Sequence, residues 1–198
     1  MRYPQAIQRL IDAFSKLPTV GPKTAERFAL HLLSQPDSNL QELSQAIANL
    51  KQQIVICNEC FAIAETNPCH ICTDTRRDSS LICVVADQKD YLSIESSGQF
   101  QGRYYVLGKE INHIEGVGPN EINTSALISM AASGKIKEVI LALNPTIEGE
   151  TTSMYMAKLL KDYPVKISKL ARGLPMGATL EYVDDMTLGS ALKFRNTL

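Results

Sequence analysis

Apolar residues fall at Ile7, Leu10, Ile11, Phe14 and Leu17, a spacing that lays one apolar stripe along a helix, and predict an amphipathic helix over residues 4–17. Leu17-Pro18-Thr19-Val20-Gly21-Pro22 interrupts it. Two prolines and a glycine make a tight turn, and Pro22 suits the first turn of the next helix. That second helix buries Ala25, Phe28, Ala29, Leu32 and Leu33 and ends at Gln35-Pro36-Asp37. A third carries Leu40, Leu43, Ala46, Ile47 and Leu50.

The pattern changes downstream. Residues 76–80 read as a polar linker, residues 81–86 and 138–143 are short apolar runs read as buried strands, and residues 103–107 and 165–167 read as two further strands. Helical stretches lie between them: from Asp90 to Ile94, from a cap at Asn123 or Thr124 to Gly134, and from a cap at Thr151 past Met154, Ala157 and Leu160. Residues 108–123 are mostly loop. Strands alternating with helices imply a parallel sheet with helices on both faces. The fold class is therefore multi-domain, α+β and α/β, with expected regions at 1–53 (helical), 54–78 (cysteine-rich), 79–166 (sheet) and 167–198 (a short C-terminal assembly segment).

Between the helices and the sheet stand two Cys-x-x-Cys pairs, Cys57/Cys60 and Cys69/Cys72. Each pair offers two thiolates from a tight turn, and two turns complete a tetrahedral, all-sulfur site. Soft thiolates select zinc or iron over hard cations. A closed set of four leaves no position for substrate, so one structural Zn2+ per chain is expected, and the segment should depend on it to fold. The competing readings are a redox dithiol or two disulfides. An odd fifth cysteine, Cys83, and the lack of a secretion signal at Met1-Arg2-Tyr3-Pro4 argue against an oxidising compartment. Cys83 itself reads as a core residue, and His70 as a bystander inside the second knuckle.

Net charge is −1, or about −3 with four thiolates on one Zn2+, so any attraction to nucleic acid has to be local. Up to Ser34 there is such a local signal: Arg2, Arg9, Lys16, Lys23 and Arg27 stand against Asp12 and Glu26. A helix, a glycine-containing hairpin and a second helix form a helix-hairpin-helix pattern. Amides at the second helix start point at a phosphate, and Lys23 adds charge. Lys23, Arg27, Lys16 and Arg9 are the candidate DNA contacts, gripping backbone without reading sequence. The alternative is an ordinary helical hairpin with a solvated basic face. Thr19 stands where such hairpins usually have glycine. Being β-branched it resists positive φ, so the hairpin is expected to bend differently or relax there.

Ligands of a parallel sheet bind beyond the carboxyl ends of its strands, here Ala86-Asp87 and Asn144-Pro145-Thr146-Ile147-Glu148-Gly149-Glu150. Topoisomerase-primase (Toprim) sheets put a glutamate at the first and Asp-x-Asp at the second, to hold Mg2+ for phosphodiester chemistry. Ala86 and Asn144-x-Thr146 occupy those positions. Too few carboxylates remain for a two-metal site, and Glu148 and Glu150 also suit a helix start.

Leu17-Pro18…Gly21-Pro22-Lys23, the four cysteines, Asn144-Pro145-Thr146…Glu148-Gly149-Glu150, and Leu170-Ala171-Arg172-Gly173-Leu174-Pro175…Gly177 occur in that order. So does the tail Leu180-Glu181-Tyr182…Asp184-Asp185…Thr187-Leu188-Gly189. From residue 7 to 192 the chain resembles the bacterial recombination mediator family RecR. The resemblance implies a helix-hairpin-helix region, a four-cysteine zinc finger and a Toprim-like domain without catalytic activity. It further implies a cytoplasmic, ring-forming protein of recombinational DNA repair, dimeric or tetrameric, that binds gapped or double-stranded DNA without sequence preference. Such a protein acts with RecO and RecF to promote RecA loading on gapped DNA. Glu148 and Glu150 become candidate partner-binding residues. Departures from the family pattern are Thr19, Ala86, Lys109 and Ala178. The competing reading is a Mg2+-dependent Toprim nuclease or primase, which Ala86 and Asn144 disfavour. A weaker one is a zinc-stabilised protein that binds only proteins. No apolar run is long enough to cross a bilayer.

Overall fold

The computed structural model describes residues 3–195 as two compact units, residues up to Gln53 and residues from Ile54 onward. Among these residues no helix is long and apolar enough to cross a membrane.

The first unit is all helical: α1 (Gln5–Phe14), α2 (Pro22–Leu33) and α3 (Asp37–Asn49). Its apolar stripes meet only in part. Ala25 and Ala29 of α2 are buried as expected and Leu32 is half-buried. Phe28 and Leu33 are exposed, at 44% and 66%, because α3 buries none of its own residues and leaves that side of α2 uncovered. Ile11, Ala25 and Ala29 are buried together, with Ile7, Leu10, Phe14 and Val20 packed around them. Phe14 and Phe28 meet edge to face at 5.7 Å. Alanine at two of the three central positions lets α1 and α2 approach closely, but it buries little area. α3 contributes no buried residue.

The second unit opens with β1 (Val55–Ile56) and β2 (Ile63–Ala64), an antiparallel pair, and the short α4 (His70–Thr73). A sheet of four parallel strands follows, in the order β4-β3-β5-β6: β3 (Asp78–Val85), β4 (Gly102–Val106), β5 (Glu138–Leu141) and β6 (Lys166–Lys169). The connecting helices are α5 (Gln88–Ser96), α6 (Ser125–Ala132) and α7 (Ile147–Leu160); α8 (Asp185–Lys193) ends the described chain. One face of the sheet buries Val84, Tyr105, Leu107, Val139 and Leu141 against Leu127 of α6 and Met156 and Leu160 of α7. The other buries Cys83, Val85, Tyr104 and Val106 against Tyr91 of α5 and the cysteine segment.

Three local expectations are corrected. β3 begins at Asp78, inside the stretch read as linker. The amide of Asp78 donates to the carbonyl of Gln101 at 2.9 Å, so polar residues extend the strand past its apolar run. α7 is capped by Thr146, whose hydroxyl accepts from the Gly149 amide at 3.1 Å; Thr151 lies inside the helix and donates to the carbonyl of Ile147. Gly149 in the first turn disguises that start. A Cβ there would lie 2.0 Å from the carbonyl oxygen of Asn144, so only glycine fits. Finally, Thr19 does not avoid the left-handed region: it sits at φ +66°, in the conformation a glycine would have supplied.

Candidate metal centre and nucleic-acid interface

The cysteine segment is shaped by backbone bonds around each sulfur. The Cys57 amide donates to the carbonyl of Ala62 at 2.9 Å and the Phe61 amide to that of Cys57 at 3.0 Å, closing the first knuckle. That closure holds Phe61 at φ +61°, a left-handed geometry costly for an aromatic residue. The ring's edge-to-face packing on Tyr105, at 5.4 Å, helps hold it there. The second knuckle opens α4, and the amide of Cys69 points at the Cys57 sulfur from 3.4 Å.

All four cysteines are buried, and their sulfurs lie within 4.8 Å of one another. Cys57 and Cys72 are separated by 3.8 Å, Cys60 and Cys69 by 3.6 Å. A tetrahedral ion about 2.3 Å from each sulfur requires neighbouring sulfurs about 3.8 Å apart. The donor set fits a metal ion. Its electrostatics also call for one. Cys60 is drawn down to about 6, chiefly by the hydrogen bond from Cys72. Cys72, the donor, is driven upward, and burial together with the charge on Cys60 pushes Cys69 to about 11. A cation allows all four to ionise together. Cys83 stands outside the quartet, and burial pushes its thiol up to about 12. His70 is exposed at the head of α4.

In the helical unit, Lys23 and Arg27 lie one turn apart on α2, so they share a face. Lys16 is in the hairpin and Arg9 on α1; all four are exposed, and among the described residues none is held in an ion pair. The first amide of α2 with a helical acceptor is that of Ala25, which donates to the carbonyl of Gly21 at 3.0 Å. Pro22 has no N–H, which leaves the amides of Lys23 and Thr24 facing outward beside an unobstructed Gly21.

At the carboxyl ends of the strands the acidic residues are neighbours, but their ligand atoms do not converge on one point among the described residues. Asp87 caps α5, accepting from the amides of Lys89 at 2.7 Å and Asp90 at 3.1 Å. Glu150 is engaged within the chain: Lys169 donates to both its oxygens at 2.9 Å, and Arg172 binds the same carboxylate. Among the described residues Glu148 has no cation partner. The cysteine quartet is, among the described residues, the one group of His, Cys, Asp or Glu whose ligand atoms converge.

The sequence reading missed Glu110, in the loop after β4. Its Oε1 is buried without a hydrogen bond, and burial, with Asp90 and Glu148 nearby, raises its carboxyl above the usual range. No local pattern marks it. Lys169 and Arg172 as partners of Glu150 were also missed; opposite charges nineteen and twenty-two residues apart give no sequence signal.

Three family models match: "RecR, helix-hairpin-helix" over residues 7–51, "Toprim domain" over 80–171 and "RecR, C-terminal" over 173–196. The chain is 46% identical over 198 residues to the recombination protein RecR of Bifidobacterium adolescentis, spanning 100% of this chain and 99% of that protein. Against recombination protein RecR of Staphylococcus saprophyticus and of Staphylococcus aureus, identity is 42% over the whole of both chains.

Proposed function

The chain belongs to the RecR family of recombination proteins, and from that premise we propose that it is a non-catalytic DNA clamp and adaptor of recombinational repair in the cytoplasm. In this reading it acts with RecO and RecF to promote RecA loading on gapped DNA. The observation that carries it is the pairing of Lys23 and Arg27, unpaired cations on one face, with outward amides at the start of α2. Lys16 and Arg9 add charge to the same unit. Such a grip tolerates any sequence.

Cys57, Cys60, Cys69 and Cys72 would hold one Zn2+, which supplies structural cross-linking and leaves no open position for chemistry. Ala86 and Asn144, at the positions where a Toprim site has carboxylates, support the adaptor over the nuclease or primase reading. Glu148 and Glu150 are proposed to meet basic groups of a protein partner. Glu148 supplies the free charge, and Glu150 is shared with Lys169 and Arg172.

A clamp of this size requires several copies. Two surfaces support self-association. A cleft of about 770 Å³ in the helical unit is lined by Leu10, Phe14, Leu32, Leu40, Leu43 and Ile47 among others. The C-terminal segment exposes Met176, Tyr182, Met186 and Leu192. Contacts through both ends give a dimer of dimers. Binding to gapped duplex DNA, with and without RecO, followed by RecA filament growth on DNA covered with single-strand-binding protein, tests the proposal. Mg2+-dependent nicking lost in Glu148→Ala, or a failure to bind DNA under any condition, overturns it.

A further inference from the structure

The two ends of the parallel sheet differ in chemical character. Between Asp78 and Lys169, four cations are held by carboxylates: Arg103 by Glu59, Lys109 by Glu121, Lys166 by Glu138 and Lys169 by Glu150. Of the remaining five lysines, Lys89 lies at the carboxyl end, on α5. The other four, Lys135, Lys137, Lys158 and Lys161, gather at the amino end. Chain geometry brings them there. α6 and α7 run back along the sheet, so their last turns, with Lys158 and Lys161, and the lead-in through Lys135 to Lys137, come out beside the starts of β5 and β6. The amide of Lys166 donates to the carbonyl of Lys137 at 2.9 Å, fixing these two strand starts side by side. All four lysines are exposed.

The acids at this end do not cancel them. Asp78 is exposed and spends its Oδ1 on the amide and hydroxyl of Ser80, at 2.8 and 2.7 Å; Lys137 lies near enough to lower its carboxyl further, without an ion pair between them. Glu138 accepts from Lys166 and Ser168 at 3.0 and 2.6 Å. Among the described residues only Asp162 at this end has neither an ion pair nor a side-chain hydrogen bond. The exposed large apolar side chains of the sheet domain, Leu92, Ile114, Ile147 and Met154, lie on α5, on the loop after β4 and on the start and middle of α7. None is at the amino end. A protein partner needs buried apolar or aromatic anchors, which this end does not offer. A row of unpaired, flexible ammonium groups without apolar anchors suits phosphates met one at a time, as point charges.

We infer that the amino end of the sheet, through Lys135, Lys137, Lys158 and Lys161, is a second contact surface for the DNA backbone, separate from the helical hairpin. The inference rests on the reading that the chain binds DNA. Placing DNA here leaves the acidic, apolar carboxyl end free for a protein, so one small domain can sit between the two.

The test is a salt titration of full-length protein on gapped duplex DNA. It compares wild type, a triple variant Lys135→Gln, Lys137→Gln, Lys161→Gln, the double variant Lys23→Gln, Arg27→Gln, and Lys89→Gln as the control from the opposite end. Unchanged melting temperature and zinc content establish that each variant is folded. Each phosphate-contacting lysine removed lowers the salt slope by about one, so the triple variant should lose about three, equally on unrelated sequences. Lys89→Gln should titrate as wild type. A triple variant that titrates like wild type while the double variant weakens overturns the inference and leaves the DNA reading standing. If wild type binds at no salt concentration, both fall. If the triple variant keeps its DNA slope but no longer associates with RecO or RecF, the surface is a protein contact and the inference is wrong.

Discussion

The backbone amide of Val106 donates to the carbonyl of Cys60 across 2.8 Å, joining the last residue of β4 to the first cysteine knuckle. β4 is an edge strand, and this bond covers the end of its open side with the cysteine segment. The same segment has no core of its own; Cys57, Cys60, Cys69 and Cys72 share theirs with Val85, Tyr104 and Val106. Metal removal should therefore loosen the sheet as well as the knuckles. Chelation, or Cys60→Ala, is expected to destabilise the second unit by on the order of 4 kcal/mol or more. Amide exchange should quicken along β4 before it does along β5, which hydrogen-exchange mass spectrometry would read. Unchanged protection at residues 104–106 after complete metal loss would contradict this coupling.

Thr19 offers an independent test in the helical unit. A β-branched residue at φ +66° is disfavoured by about 1–2 kcal/mol, while glycine adds unfolded-state entropy worth roughly 0.5–1 kcal/mol. Thr19→Gly should be stabilising, by about 0.5–1 kcal/mol on that balance, with DNA affinity kept or improved. Thermal denaturation and a binding titration check both. A clear loss of stability would mean that the threonine side chain contributes a contact that outweighs its backbone strain.

How far the sequence could be read depended on whether a feature has a period. α1, α2 and α3 follow directly from apolar spacing, and the cores of β3 and β5 from apolar runs. The quartet followed from two Cys-x-x-Cys pairs, because a tight turn alone places both sulfurs. What escaped was set by contacts between distant parts of the chain. Thr19 and Phe61 take left-handed conformations against their own preferences because the hairpin and the knuckle close around them. Asp78 joins a strand because Gln101 is there to accept its amide. Glu110 and the bonds from Lys169 and Arg172 to Glu150 exist only once loops from separate strands meet.

Glu110 predicts a pH effect. Burial, then Asp90 and Glu148, raise its carboxyl in the folded protein above its unfolded value. The folded state thus binds more protons between the two values, so this group's contribution to stability falls as pH rises through that window. Above it the charged, unpartnered Oε1 is a standing penalty. Glu110→Gln should raise the melting temperature at pH 7, with the advantage shrinking toward pH 4 as the wild-type carboxyl protonates. A variant that is less stable at pH 7 would show that the carboxylate has a favourable partner, such as a bound cation.

The bonds to Glu150 predict how the C-terminal segment is held. Lys169 ends β6 and Arg172 starts the segment that follows, and both reach back to one carboxylate in the first turn of α7. From Gly173 to Arg195 no residue is buried, so this clamp is a principal tether. Glu150→Gln keeps shape and removes charge, which should cost only about 1 kcal/mol, given the exposure of the pairs. Amide exchange should nonetheless quicken over residues 170–180 with β5 unaffected. Equal exchange in both proteins would show that apolar contacts hold the segment instead.

Self-association is predicted from what the helical unit leaves uncovered. Its centre is Ile11, Ala25 and Ala29, a small core for three helices, and α3 buries nothing. Leu33 and Ile47 are about two-thirds exposed, at 66% and 64%, beside the cleft of about 770 Å³. Small modules rarely stand alone with so little buried area, and a second copy of the same unit can bring an equivalent apolar face by two-fold symmetry. The C-terminal segment supplies the other contact, with Met186 and Leu192 exposed on α8. Wild-type protein is therefore expected to show a dimer–tetramer equilibrium in sedimentation across a concentration range. Leu43→Lys with Ile47→Lys should remove the helical contact and Met186→Lys with Leu192→Lys the other, each leaving dimers as the largest species. If these positions are interface hot spots, each pair weakens association by about 2 kcal/mol or more, roughly thirty-fold in dissociation constant. The two sets combined should give monomers. Tetramers that survive both sets of substitutions would place the contacts elsewhere, and a wild-type protein that stays monomeric with and without DNA would exclude a clamp that surrounds its substrate.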